Sequence, residues 1–217
     1  MLTQRQGDRL SPFDNALRTD LPAEHCVLEL AGGERITLPV ARWHAEADAA
    51  DELLIGRCTG PTLDIGCGPG RLTVALGARG IPVLGIDVSP VAVRLTRRRG
   101  GPALRRDVFD QVPAAGRWQH VLLADGNIGI GGDPFALLRR VGRLLAAEGT
   151  ALVEVAAPGT GLLCAPARLA GGEPDASWFP WAMLDAEAIA APAAEVGLAV
   201  CWQRAWSGRW FVELARA

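Results

Sequence analysis

From residue 61 to residue 155, short apolar runs alternate with stretches whose apolar residues recur at helical spacing. In chain order they are TLDIG, RLTVALGAR, VLGID, PVAVRLTRRR, ALRRDV, HVLLAD, PFALLRRVGRLLA and TALVEV. Apolar runs separated by helices mark βαβ units, in which crossover helices cover both faces of each strand. The pattern predicts an α/β fold built on a doubly wound, mostly parallel sheet. After residue 156 the rhythm stops in a Gly/Pro/Ala segment ending SWFPWAM, then resumes with a helix near 185–196 and two strands, LAVCWQR and WFVELAR. Only Ala-Trp-Ser-Gly separates those strands, so they form a hairpin and one of them runs antiparallel.

Ahead of this pattern, CVLEL and RITLPV flank Ala31-Gly32-Gly33-Glu34 and predict a small β-hairpin over 26–39. ARWHAEADAADELLIG places Trp43, Ala47, Ala50 and Leu54 at helical spacing and predicts one helix that delivers the chain to the main domain. Residues 1–25 are polar, with turn signals at Ser11-Pro12 and Leu21-Pro22 and room between them for a short helix in FDNALR, so a flexible start is expected. The chain thus divides into an N-terminal extension, 1–58, and a ligand-binding domain, 59–217. The extension and the 156–182 segment are expected to form a lid.

Composition narrows the chemistry. A chain of 217 residues, 49% hydrophobic and 21% charged, suits one domain with a modest appendage. No stretch approaches the length of apolar sequence needed to cross a bilayer, and MLTQRQGDRL lacks the pattern of a secretory signal, so a cytoplasmic location is expected. The five cysteines, Cys26, Cys58, Cys67, Cys164 and Cys201, are scattered without a C-x-x-C pair, which fits reduced thiols rather than a disulfide framework or zinc cluster. All 22 basic residues are arginine, which rules out a Schiff-base lysine and a phosphate-loop lysine. A net charge of −2 lacks the basic excess of a protein built around nucleic-acid phosphates.

The most informative segment is TLDIGCGPGRL. Gly66, Gly68 and Gly70 lie between a buried strand and a helix, where small residues let a ligand approach the backbone. The dinucleotide fingerprint is not met, because Arg71 stands where its third glycine belongs. Asp64, at the strand end, would repel a pyrophosphate but suits an ammonium group. Asp87 ends the next strand, 21 residues after Gly66, where a carboxylate accepts hydrogen bonds from ribose hydroxyls. Asp107 closes the following strand and suits the exocyclic amine of adenine, with Val88 and Val108 placed to flank the ring. Amino acid, ribose and adenine together describe S-adenosylmethionine (SAM).

D-x-G-C-G-x-G at 64–70, G-I-D at 85–87 and R-D-V at 106–108 resemble the successive cofactor motifs of class I SAM-dependent methyltransferases, over about residues 60–155. The resemblance implies a seven-stranded sheet in the order 3-2-1-4-5-7-6 with the last strand antiparallel. It also implies SAM as cofactor and S-adenosylhomocysteine (SAH) as product. Gly66 and Gly68 would hold the methionyl part, Asp87 the ribose and Asp107 the adenine. Cys67, Gly70, Arg71, Leu72, Val88, Val108 and Asp125 complete the expected cofactor set beside Asp64.

For the chemistry, Asp125 and Asn127 follow the fourth strand at the carboxyl edge of the sheet, where open α/β sheets bind ligands. The stretch ADGNIG departs from the N-P-P-Y motif of relatives that methylate DNA bases or glutamine. The plain alternative is that Gly126, Gly129, Gly131 and Gly132 only shape a turn, with Asp133 capping the helix that begins at Pro134. Methyl transfer from a sulfonium is an in-line displacement that needs alignment and dryness more than a protein nucleophile. A base, if needed, would be Asp125, His120 or His44. His25, His44 and His120 have no ligand spacing between them, and no metal is expected. Trp43, Trp178, Phe179, Pro180 and Trp181 either line an acceptor pocket or close the core. Arg97, Arg98, Arg99, Arg105 and Arg106 form a basic run, but the first three fall at a helix C-terminus, where cations complement the dipole. The expected activity is methyl transfer to a small-molecule acceptor, without nucleic-acid or membrane partners. A non-catalytic SAM-binding module and an aminopropyl transferase on the same fold are the alternatives.

Overall fold

The computed structural model describes residues 11–17, 26–170 and 177–217. Seven strands form the main sheet: β3 (Thr62–Ile65), β4 (Val83–Asp87), β5 (Ala103–Arg105), β6 (Trp118–Leu123), β7 (Leu145–Val155), β10 (Leu198–Trp206) and β11 (Arg209–Arg216). Their order is β10-β11-β7-β6-β3-β4-β5. Counted along this sheet alone, that is 3-2-1-4-5-7-6, as the resemblance implies. The strands from β3 to β7 pair in parallel, while β11 runs antiparallel to both β7 and β10.

Side chains alternate across this sheet. Leu63, Ile65, Val121, Leu123, Val153, Val212 and Leu214 pack on one face with helix α5 (Pro134–Leu144) and helix α6 (Ala190–Glu195). Leu122, Leu152 and Phe211 face the other side, against Leu54 and Ile55 of α2 (Glu52–Ile55) and Leu72 and Leu76 of α3 (Arg71–Ala78). Helix starts follow capping chemistry. In α4 (Pro90–Arg98) Pro90 takes the first position and the Ala92 N–H donates to Ser89 Oγ at 3.0 Å. In α5 the Ala136 N–H donates to Asp133 Oδ1 at 3.0 Å, so Asp133 is the cap its sequence context implies.

Three expectations are revised. The 41–56 segment is two short helices, α1 (Val40–His44) and α2, not one. Asp48 and Asp51 break it, because Asp48 Oδ1 accepts the N–H groups of Ala50 and Asp51, and Asp51 Oδ2 accepts that of Asp48. The hairpin β1 (Val27–Leu30) and β2 (Arg35–Thr37) forms, but it belongs to a second sheet of order β2-β1-β8-β9 with β8 (Leu162–Ala170) and β9 (Phe179–Leu184). The irregular segment after residue 156 is therefore largely strand, paired back onto the N-terminal hairpin. Finally, Ser11–Leu17, expected to be flexible, forms a turn with Ala16 and Leu17 buried, whereas the rest of residues 1–25, His25 included, lies outside the described residues. Among the described residues no helix is long and apolar enough to cross a membrane.

Candidate active site

Strand β3 is buried at every position and ends at the glycine loop, which turns into α3. Gly66, Gly68 and Gly70 all hold positive φ, at 69°, 53° and 92°. Each has a different reason to lack a side chain. A Cβ on Gly66 would lie 2.6 Å from Asn127 Nδ2, and one on Gly70 would lie 2.7 Å from Thr96 Cγ2. Gly68 faces open space with nothing within 4 Å, so its vacant side is available to a ligand.

That space is part of a cavity of about 340 Å³ along the carboxyl ends of β3, β4, β5 and β6. Asp64, Gly66, Cys67, Gly68, Arg71, Leu72, Asp87, Val88, Asp107, Val108, Asp125 and Asn127 all line it. Gly70 does not, serving instead the close approach of the loop to Thr96 in α4. His44 does not line it either. The carbonyl of His44 accepts from Arg99 Nη1 at 3.3 Å, and its imidazole is pushed down in pKa by burial and then by Arg99. His120 is tied by its ring nitrogens to Thr59 and Thr150 and is likewise absent from the cavity wall.

The acids differ in their engagement. Asp87 Oδ2 accepts the Gly68 N–H at 3.0 Å and Oδ1 accepts the Ser89 N–H at 2.8 Å. Each oxygen keeps a lone pair, enough for two hydroxyl donors. Asp64 accepts the Thr73 hydroxyl at 2.6 Å. Burial pushes both carboxyls up, each to about 6, against the hydrogen bonds that favour their charge. Asp107 Oδ1 accepts the Phe109 N–H at 2.9 Å. Val88 and Phe109, beside it, are 47% and 43% exposed, apolar surfaces that a bound ring would cover. Val108, expected to flank the ring, also lines the cavity, with most of its side chain in the core below.

Asp125, in contrast, is fully engaged. Arg42 Nη2 donates to its Oδ1 at 2.6 Å and Arg71 Nη2 to its Oδ2, while its own N–H donates to Glu154 Oε2 at 2.8 Å. Arg71 also pairs with Asp51, and Arg209 joins Asp51 to Glu154. Burial opposes ionisation of Asp51, but Arg71, the Asp48 N–H and Arg209 outweigh it and hold its pKa below the usual range. Asn127 Nδ2 donates to the carbonyls of Ile65 and Gly66 at 2.9 and 3.0 Å, which pins the glycine loop. The Cys67 thiol packs beside Val93 and Ala103, and burial, then Asp64 and Asp87, raise its pKa far beyond that of a nucleophilic cysteine.

The remaining wall is aromatic. Phe13, Trp43, Phe179 and Trp181 line it, with Phe13 centroids 6.4, 5.5 and 5.6 Å from Trp43, Phe179 and Trp181 in turn. The turn after β6 brings Trp181 here, bridging Ile130 to Trp181. A Cβ on Gly129 would strike the Ala182 carbonyl, so these glycines both shape the turn and admit β9. Trp178 lies outside the cavity, under the Arg168 guanidinium at 4.8 Å. Phe13 was hidden from the sequence reading, although Phe13, Ala16 and Leu17 carry helical apolar spacing. Arg42, Asp51, Glu154 and Arg209 were also missed; the one signal was a pair of charges, Glu154 and Arg209, at strand positions next to apolar residues. The basic run is structural in part: Arg97 Nε donates to the Ala103 carbonyl and Arg99 to those of His44 and Ala45.

Comparison with known proteins agrees with this layout. Residues 62–149 match the model of a methyltransferase domain. The matched stretch runs from β3 through α5 into β7 and holds the glycine loop, Asp87 and Asp107. A magnesium-protoporphyrin O-methyltransferase of Rhodobacter capsulatus is 33% identical over 112 residues, 48% of this chain and 47% of that protein. The match thus spans about half the length of that relative. Among solved structures, a SAM-dependent methyltransferase from Bacteroides fragilis in complex with SAH superposes with a TM-score of 0.77 at 20% identity, covering 95% of this chain and 94% of that one. A 1,6-didemethyltoxoflavin-N1-methyltransferase from Burkholderia thailandensis gives 0.57 at 17% identity, covering 77% and 75%. At these identities the two structures speak for the methyltransferase fold alone.

Proposed function

We propose that this methyltransferase binds SAM along the carboxyl edge of β3, β4 and β5 and transfers its methyl group to a small-molecule acceptor entering from the aromatic wall. One observation carries the reading. The Asp87 carboxylate, held by two backbone N–H groups, faces the same cavity as the vacant side of Gly68. That pairing fits a nucleoside whose sugar lies between them. Asp64 suits the ammonium of the methionyl part, and Asp107 with Val88 and Phe109 suits adenine. The relative that acts on magnesium-protoporphyrin and the structure solved with didemethyltoxoflavin support a small acceptor.

Bound SAM supplies an electrophilic methyl carbon on a sulfonium. The residues of the chain have simpler duties. Gly66, Gly68 and Asp87 hold the donor in line, and Leu38, Ile130 and the aromatic wall exclude water from the approach. Asp125 and Asn127 position rather than react: one is clamped between two guanidiniums and the other is committed to the glycine loop. The described parts of residues 1–58 and 156–182 make the lid in this reading. Calorimetry with SAH tests the binding half, with an expected loss of about 1–3 kcal/mol in Asp87→Ala. Transfer of isotope-labelled methyl from SAM tests the other half. Saturable SAM binding without any SAH formation would make the chain a binding module instead.

A further inference from the structure

We infer that the acceptor is a planar aromatic molecule without a positive charge, held face-on against the wall made by Phe13, Trp43, Phe179 and Trp181. The inference rests on the SAM-binding reading above. Once the positions suited to SAM are set aside, together with Arg106 next to Asp107, the rest of the cavity wall is apolar or uncharged and centres on the four rings of Phe13, Trp43, Phe179 and Trp181. None of these residues carries a charge, so nothing there would compensate an ammonium ion taken out of water.

Ring geometry separates a flat ligand from a cation. A cage for an ammonium sets its rings apart around a common centre. Here the rings touch one another: Phe179 and Trp181 are 6.2 Å apart at 86°, and Phe13 and Phe179 are 5.5 Å apart at 62°. Edge-to-face contacts of this kind tile a continuous surface, which offers stacking and edge contacts to a ring system. The charges nearest this surface are already paired or hydrogen-bonded: Asp125 is held by Arg42 and Arg71, and Asp14, next to Phe13, accepts the Ser89 hydroxyl, so no carboxylate is left over for a cation. The Trp43 indole N–H is fully buried without a partner among the described residues, so Trp43 meets the cavity with its ring rather than with its donor.

The chemistry follows from the same inventory. The wall holds no carboxylate or imidazole, and Asp125 beside it is occupied by Arg42 and Arg71. The attacking atom therefore arrives with an available lone pair, as in a ring nitrogen or an ionised phenol. That lone pair forms the bond to the methyl carbon, and the electrons of the breaking carbon–sulfur bond return to sulfur. A ring nitrogen bearing a proton afterwards gives it to water.

The test uses the full chain saturated with SAH and three probes: 1-naphthol, decahydro-1-naphthol and 1-naphthylmethylammonium. Calorimetry is expected to show 1-naphthol binding about 5–10 times tighter than its saturated counterpart, the span of an aromatic-pair preference. The cation should bind more weakly than 1-naphthol. Phe13→Ala should erase most of the difference, and Trp43→Phe should weaken 1-naphthol while leaving SAH affinity unchanged, which also reports that both variants fold. Equal binding of the planar and saturated probes, or tightest binding of the cation, overturns the inference and leaves the SAM reading standing. Failure of SAH itself to bind removes the reading beneath it.

Discussion

Arg42, in the short helix α1, donates to Asp125 Oδ1 at 2.6 Å, across 83 residues of sequence. Arg71 holds the other oxygen, so this carboxylate is a structural bridge between the N-terminal extension and the start of α3. A carboxylate so occupied is poorly placed to take a proton from an acceptor. Asp125→Asn is expected to lower stability by about 1–3 kcal/mol through the lost charged hydrogen bonds. It should also slow methyl transfer without altering the shape of the pH–rate profile. Denaturant unfolding checks the first effect. Loss of the acidic limb of the profile would restore Asp125 as a base.

Gly68 separates ligand clash from backbone strain. At φ 53° with open space beside it, an alanine costs only the left-handed conformation, about 1–2 kcal/mol. Gly80, at φ 73° in the turn between α3 and β4, has the same open surroundings but lies away from the cavity. Gly68→Ala and Gly80→Ala should therefore destabilise alike. Only Gly68→Ala should weaken SAH binding, by more than about tenfold. Equal SAH affinity in the two variants would place the ligand elsewhere.

What could be read from the sequence was whatever local pattern controls. The β3–α3 turn needs glycines in sequence, and the acids at 64, 87 and 107 sit at strand ends, so the motif was legible directly, while the strand order followed from the family resemblance that the motif carries. The second sheet was not, because β1 pairs with β8 over a separation of more than a hundred residues and β8 begins in a Gly/Pro-rich stretch. The single helix expected over 41–56 failed for a local reason: the apolar spacing was right, but Asp48 and Asp51 use their side chains on backbone N–H groups instead. Partners in the arginine network were invisible for a further reason. Arg42, Arg71 and Arg209 lie on three distant elements and meet only once the sheet is assembled.

Arg209 gives that network its weight. It is 9% exposed and donates to Glu154 Oε1 and Oε2 at 2.8 and 2.9 Å and to Asp51 Oδ1 at 2.9 Å. Arg209→Met takes the two-point partner from Glu154, leaving it Arg42 at 3.5 Å and the Asp125 N–H, and leaves Asp51 to Arg71, and is expected to cost about 3 kcal/mol. Adding Glu154→Leu should return part of that loss, because the double change removes a charge that the single change strands. Thermal or urea unfolding of the three variants closes the cycle. A double variant less stable than the sum of the singles would show that the groups do not act as a pair.

Asp64 and Asp87 make ligand binding and stability run in opposite directions with pH. Both carboxyls are raised to about 6 in the folded chain, above their ordinary 3.8, chiefly by burial. Between those values the folded state binds more protons than the unfolded state, so their contribution to stability is complete below about pH 4 and is lost as pH rises through about 6. The ligand-free protein should therefore gain stability at pH 7.5 from Asp64→Asn, by up to about 3 kcal/mol, with the gain vanishing toward pH 4. SAH binding should show the reverse trend. An ammonium beside Asp64 and hydroxyls on Asp87 favour the ionised forms, so affinity should rise from pH 5 to pH 7.5 with release of protons. Calorimetry in two buffers of different ionisation enthalpy measures that release directly. A flat affinity with no proton released would mean that neither carboxylate meets the ligand, and Asp64→Asn would then cost no affinity in exchange for its stability.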